Sequence, residues 1–346
     1  MTTFPYLVLF SLCVAGTAAA GPPPPDDDGP VTAAERKKVV DTLAATLDAH
    51  YVFADRAKAI DKLIHDHLRR GDYDKLASGQ AFATRLTGDI AALVHDPHLD
   101  IRYSKQPLPV GDERDHAGDA ADEAYLNHGI FDVRRMRFDI GYLDINEFAS
   151  LVPTAEKLGA ALRLLHDTRA LIVDLRNCHG GDTDTVPVAA SYLLPAGTHL
   201  LDMYTRSTNT TDRIYAKADL AGPHYAADRP VFILIGGDTA SGCESFAYMM
   251  QAQKRATLIG EHTAGAAHFG DPKRLSDHFM AFIPIGRPID PITHGDWEGT
   301  GVLPDVAAAA PTALDVAERK SLEWLAPREA SPQRRDAMQK RLGELK

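Results

Sequence analysis

An α/β fold is what the sequence predicts: a layered α/β domain preceded by a small N-terminal unit of three helices. Three observations point to it. Apolar residues recur at helical spacing between residues 32 and 94. Beyond Gly129, strand-like and helix-like stretches alternate, the pattern of a sheet with crossover helices. Two of those strands, Leu171 to Leu175 and Val231 to Ile235, are continuous apolar runs of the kind buried on both faces.

The elements follow in order. Thr32-Ala33-Ala34-Glu35 is a capping box, and Val39, Val40, Leu43 and Leu47 continue it at helical spacing. Two more helical patterns run from Arg56 to Leu68 and from Gln80 to Val94, separated at Gly71. Between Pro107 and Asn127 prolines, glycines and charges predominate without period, which reads as a linker too short for a PDZ-like insert. Next come a strand at Ile140 to Ile145, a helix at Thr154 to Leu165, the first buried strand, and a helix at Val186 to Leu194. Two β-like stretches follow near Leu200 to Thr205 and Arg213 to Ala218, then the second buried strand, a helix from Ser241 to Lys254 and a strand at Thr257 to Ile259. A helical segment from Thr312 to Leu325 and a charged tail close the chain. The expected partition is a signal peptide at 1–20, a Pro/Asp-rich linker at 21–30, a helical domain at 31–105, a linker at 106–127, the α/β domain at 128–310 and a helical tail at 311–346.

Composition removes several functions. A net charge of −11 repels nucleic-acid phosphates and anionic lipid, and no basic stripe with interleaved aromatics reverses it locally, so no nucleic-acid partner is expected. With 45% hydrophobic and 25% charged residues the balance is that of an ordinary globular protein. Tyr6 to Ala18 is an apolar run leading into Ala18-Ala19-Ala20-Gly21, small residues that suit signal-peptidase cleavage after Ala20. The run is short for a bilayer span, so export to the periplasm or medium is expected, with no membrane association after cleavage, the alternative being an uncleaved anchor. Leu12 precedes Cys13 where a lipoprotein site has a small residue, which argues against lipidation. Gly21 to Pro30 then reads as an extended acidic linker.

The second buried strand ends in Gly236-Gly237-Asp238-Thr239-Ala240-Ser241-Gly242-Cys243-Glu244. A serine at such a strand-to-helix turn points its hydroxyl outward, and the first N–H groups of the helix lack partners and can receive an oxyanion. Ser241-x-x-Glu244 is also a capping box, which asks for no chemistry. The first buried strand ends in Asn177-Cys178-His179-Gly180-Gly181, and two glycines there let backbone N–H groups approach an anion, the alternative being a plain loop. A nucleophilic serine needs a base; His98, in Asp96-Pro97-His98-Leu99, is one of fifteen histidines. Glu298 lies in a glycine-rich turn beside Trp297, a setting able to hold a carboxylate against an imidazole.

Taken together these motifs resemble the C-terminal-processing, or tail-specific, serine peptidase superfamily. Leu171 to Gly181 looks like its buried strand and D-L-R-x-N-x-G-G loop, and Thr239 to Ala247 with Ala256 to Gly265 looks like its nucleophile turn, helix and next strand. Glu298 sits in what resembles a W-x-G-x-G-V-x-P-D segment. His50 to Asp55, Gly71-Asp72-Tyr73 and His95 to Leu99 are similar to the N-terminal unit of interphotoreceptor retinoid-binding protein and its bacterial relatives. The resemblance covers about residues 31 to 310 and implies a crotonase/ClpP-like layered α/β domain. It implies Ser241 as nucleophile, the N–H of Gly242 with the Gly180-Gly181 loop as oxyanion hole, His98 as base and Glu298 as its partner. Where one branch carries a catalytic lysine this chain has Ala266, which places it with the tricorn-core and retinoid-binding-like branch. The loops carrying Cys178 and Cys243 would then both border the oxyanion hole, where a disulfide would lock it; two separate buried thiols are the alternative.

The expected activity is peptide-bond hydrolysis through an acyl-enzyme, on peptides or unfolded proteins, with no metal and no cofactor. Two other readings share the scaffold: a catalytically silent protein that holds apolar ligands, and an esterase or amidase without peptidase activity.

Overall fold

The computed structural model describes residues 28–94, 96, 98–109 and 116–345. The signal segment at 1–20 and most of the linker after it lie outside the described residues.

Thr32 caps the first helix, accepting from the Glu35 N–H, and α1 (Ala33–His50) is followed by α2 (Ala54–Arg70) and α3 (Gly79–Val94). Gly71 ends α2 in the left-handed conformation, φ +75°, as a helix-terminating glycine does. A strand that the sequence reading did not include, β1 (Asp100–Tyr103), comes next, and α4 (His116–Tyr125) forms inside the stretch read as a linker.

The α/β region runs β2 (Ile130–Met136), β3 (Ile140–Ile145), α5 (Leu151–Leu165), β4 (Ala170–Asp174), α6 (Thr185–Ser191), β5 (His199–Thr205), β6 (Thr210–Tyr215), β7 (Val231–Ile235), α7 (Gly242–Ala252) and β8 (Thr257–Gly260). It continues through β9 (Phe269–Arg274), β10 (Phe279–Ile289), β11 (Val306–Ala307), α8 (Ala313–Leu325) and α9 (Pro332–Glu344). One sheet has the order β11-β8-β7-β4-β3-β2 and is parallel except where β2 pairs antiparallel with β3. The central strands β4 and β7 are buried throughout, which is why they read as unbroken apolar runs. On one face Leu171, Val173, Ile233 and Ile235 pack with Leu158, Leu162, Val186 and Phe246 of α5, α6 and α7. On the other, Ile172, Phe232, Leu234 and Ile259 pack with Ala317, Leu322 and Leu325 of α8 and Met338 of α9. The closing helices are therefore a layer of the fold.

A second, antiparallel sheet has the order β1-β10-β5-β6, with β9 also on β10. It joins the helical unit to the rest: Phe279, Ala281 and Ile283 of β10 complete the core made by Val39, Leu43, Leu47, Ile60, Ile64, Phe82 and Leu86. The Asp100 to Phe282 pairing of β1 with β10 fixes the chain immediately after His98.

Candidate active site

Strand β7 delivers the chain to Ser241, the N-cap of α7, whose backbone sits at φ +50°, ψ −118°. A non-glycine residue in that region is strained by about 1–3 kcal/mol and persists only where its surroundings fix it. Here the fixing group is Glu244, fully buried one turn into the helix. Its carboxylate accepts the Ser241 N–H (2.8 Å), the Thr263 hydroxyl (2.5 Å), and the N–H groups of Gly265 (2.7 Å) and Ala266 (2.8 Å). Burial, the largest influence, pushes the Glu244 carboxyl above its ordinary range against those donors. The Ser-x-x-Glu pattern is thus more than a cap, since the same carboxylate binds a second loop.

That loop carries on to the other half of the site. The next two N–H groups, Ala267 (2.6 Å) and His268 (2.7 Å), donate to Glu298 Oε2. Glu298 Oε1 faces His98 Nδ1 at 3.3 Å. Four consecutive amides from Gly265 to His268 therefore grip two carboxylates, one holding the serine turn and one holding the imidazole. The Glu298 turn is docked onto the same loop by the Gly299 N–H to the Gly265 carbonyl (2.8 Å) and the Val302 N–H to the Thr263 hydroxyl (2.6 Å). Ala266, where a lysine would stand in the other branch, is buried and supplies only its backbone.

His98 is 8% exposed, and its own N–H donates to Asp96 Oδ1 (3.1 Å). Asp96 in turn accepts the Tyr51 hydroxyl (2.9 Å) on Oδ2. Burial, the largest influence on His98, pulls its imidazole down, but the hydrogen bond and charge of Glu298, with the charges of Asp96 and Glu244, outweigh it and hold the ring above the ordinary histidine value.

The glycine loop closes the site. Gly180 and Gly181 have φ +123° and +130°, and a Cβ on Gly181 would stand 2.1 Å from the Phe148 carbonyl oxygen, so only glycine fits. A Cβ built on Gly180 would lie 3.4 Å from Ser241 Oγ, and one on Gly242 would lie 3.5 Å from the Gly181 nitrogen. Neither the Gly181 nor the Gly242 N–H has a hydrogen-bond acceptor among the described residues. Gly180 directs its N–H to Cys243 Sγ (3.1 Å), and Cys243 is joined to Cys178 by a disulfide. The Ala240 N–H adds a bond to the Cys178 carbonyl (3.0 Å), so the two strand-end loops are tied covalently and by hydrogen bonds.

Of the eight residues singled out in the sequence, Cys178, Gly180, Gly181, Ser241, Gly242 and Cys243 lie at the carboxyl ends of β4 and β7, whereas His98 lies before β1 and Glu298 after β10, the latter joined to the serine turn through the Gly265 to His268 loop. Sequence reasoning missed Asp96 and His268 as members of the site. Asp96 stands in the same motif as His98, two positions before it, and this spacing was the one signal for it; His268 gave none beyond lying near a matched segment.

Comparison with known proteins bears on this arrangement. The model of peptidase family S41 matches residues 139–308, and the model of the N-terminal domain of that peptidase in eukaryotic interphotoreceptor retinoid-binding protein matches 32–128. A carboxyl-terminal-processing protease of Synechocystis sp. is 29% identical over 174 residues, 50% of this chain and 38% of that protein. The chain thus matches well under half the length of that relative. Among solved structures, a lipoprotein from Streptococcus agalactiae superposes with a TM-score of 0.57 at 17% identity, covering 85% of this chain and 97% of that one. A photosystem II D1 C-terminal processing protease gives 0.51 at 18% identity, over 82% and 94%. These two likenesses concern the fold.

Proposed function

Because the chain belongs to peptidase family S41, we propose that it is a serine peptidase in which Ser241 is the nucleophile, His98 the general base and Glu298 the carboxylate that orients the imidazole. The observation that carries this reading is the run of amides from Gly265 to His268, which fixes the serine turn and the His98–Glu298 pair to one rigid loop.

The geometry supports these roles as follows. With the Nδ1 proton of His98 directed at Glu298 Oε1, the ring's Nε2 keeps a free lone pair for the Ser241 hydroxyl proton. As Ser241 attacks a carbonyl carbon, His98 takes that proton, and Glu298 stabilises the imidazolium. The negative charge developing on the carbonyl oxygen meets the unpartnered N–H groups of Gly181 and Gly242. His98 then protonates the leaving amine, and water resolves the acyl-enzyme by the same steps. The strained Ser241 backbone aims the hydroxyl out of the turn, and Glu244 prevents its relaxation.

Peptides or unfolded proteins are the proposed substrates. Export is part of the proposal: a short apolar run ends in small residues at Ala18 to Gly21, and the Cys178–Cys243 bond suits an oxidising compartment. Among the described residues no helix is long and apolar enough to cross a membrane.

The test is to incubate the protein with a diverse peptide library and read cleavage by mass spectrometry, beside the Ser241→Ala variant. Cleavage by the wild type alone supports the reading. Equal cleavage by both, or by neither, refutes it.

A further inference from the structure

Two carboxylates, Asp96 and Glu298, are drawn into the interior around His98, their side chains 1% and 9% exposed. One ligand atom from each of Asp96, His98 and Glu298 lies within 4.8 Å of the others. A third group is aimed into the same space. His268, its side chain 3% exposed, brings Nδ1 to 3.5 Å from Asp96 Oδ2 and 3.6 Å from Glu298 Oε2, yet that nitrogen makes no hydrogen bond. A buried polar atom without a partner is costly, and it calls for an explanation.

The geometry points to a divalent-cation site of the zinc type, made by Asp96, His98 and Glu298 with His268 Nδ1 beside them. Zinc binds imidazole nitrogen and carboxylate oxygen at about 2.0–2.2 Å, so neighbouring ligands of a tetrahedral ion stand roughly 3.3–3.6 Å apart. The separations here are 3.3 Å for His98 Nδ1 to Glu298 Oε1, then 3.5 Å for His268 Nδ1 to Asp96 Oδ2 and 3.6 Å to Glu298 Oε2, so Glu298 would turn one oxygen toward each imidazole. Two buried carboxylates are also the charge that one divalent ion neutralises. Both keep lone pairs to give, because Asp96 accepts two hydrogen bonds and Glu298 two from the backbone, and a carboxylate has about four acceptor positions. The mixed nitrogen and oxygen set suits zinc over calcium or magnesium, which take oxygen.

Occupation would silence the base. An imidazole that gives its Nδ1 lone pair to a metal carries its remaining proton on Nε2, and no lone pair is left there to accept the Ser241 proton. The N–H bond at Nδ1 breaks as one forms at Nε2, and the freed Nδ1 lone pair makes the coordination bond, with no change of oxidation state. Binding stands on the geometry alone; inhibition rests on the peptidase reading above.

Zinc ion itself is the probe, titrated by calorimetry into the full chain carrying Ser241→Ala. One ion per chain is expected. Adding Asp96→Asn should weaken binding at least tenfold, and His268→Gln severalfold, with circular dichroism checking that each variant is folded. No binding, or binding unchanged by both substitutions, overturns the site. In the wild type, cleavage of a peptide substrate should fall in step with occupancy and return with a chelator; cleavage unaffected at full occupancy overturns the inhibition. A wild type that binds zinc but cleaves nothing under any condition refutes the peptidase reading and leaves the metal site standing.

Discussion

At Ser241 a strained backbone and a buried carboxylate act together, so its substitutions separate chemistry from folding. Ser241→Ala should cut kcat by more than about a thousandfold while the protein stays folded, because a lost helix cap costs only about 1 kcal/mol. His98→Ala should lose at least about a hundredfold, and the double variant should be little worse than either, since members of one catalytic unit are not additive. Glu244→Ala leaves four donors unpaired in the interior, each costing about 1–3 kcal/mol, so it should lower the melting temperature far more than Ser241→Ala. The pH profile has a definite sign. As the proposed base, His98 would work only when neutral, and its pKa is raised, so kcat/KM should fall as pH drops through a value above the ordinary histidine value of about 6.5. Glu298→Gln removes the main upward influence and leaves burial, so the surviving activity should show that limb moved to lower pH. Ser241 was legible because a capped helix after a buried strand is a local pattern. The role of Glu244 was not, since the cap pattern says nothing of the second loop that the carboxylate binds.

Among the elements, the two glycine-bearing loops after β4 and β7 are the proposed oxyanion hole, and the Cys178–Cys243 bond spans 65 residues between them. Closing a loop of that length stabilises by about 4 kcal/mol in a chain-entropy reckoning. Replacing both cysteines by alanine should therefore lower the melting temperature and, on the proposed mechanism, should reduce kcat more than it changes KM, because the tie joins the two loops whose Gly181 and Gly242 N–H groups would receive the oxyanion. Equal activity in the two forms would show that the hydrogen bonds alone suffice. The buried strands β4 and β7 were plain in the sequence as unbroken apolar runs. Strand β10 was hidden because Pro284 and Pro288 interrupt it, and prolines are tolerated there beside a bulge and where pairing passes to β5. β1 is four residues long, and its strand character comes from pairing with β10, a contact no local pattern displays. α4 likewise escaped reading, being only ten residues long and lying inside a stretch read as a linker for its prolines, glycines and charges.

On the scale of the whole molecule, the site exists because the helical unit and the α/β layers are joined by one antiparallel sheet: His98 comes from the first, Ser241 and Glu298 from the second. The closing helices are equally structural. A chain ending at Pro311 would expose Ile172, Phe232, Leu234 and Ile259, so it should be insoluble or unfolded by circular dichroism. The measurement that bears most directly on the central claim is labelling with a fluorophosphonate, followed by peptide mapping. A single adduct on Ser241, formed at least a hundredfold more slowly in His98→Ala, is the result expected of a serine activated by that imidazole. An adduct on another serine, no adduct, or labelling of Ser241 at the same rate without His98 would contradict it.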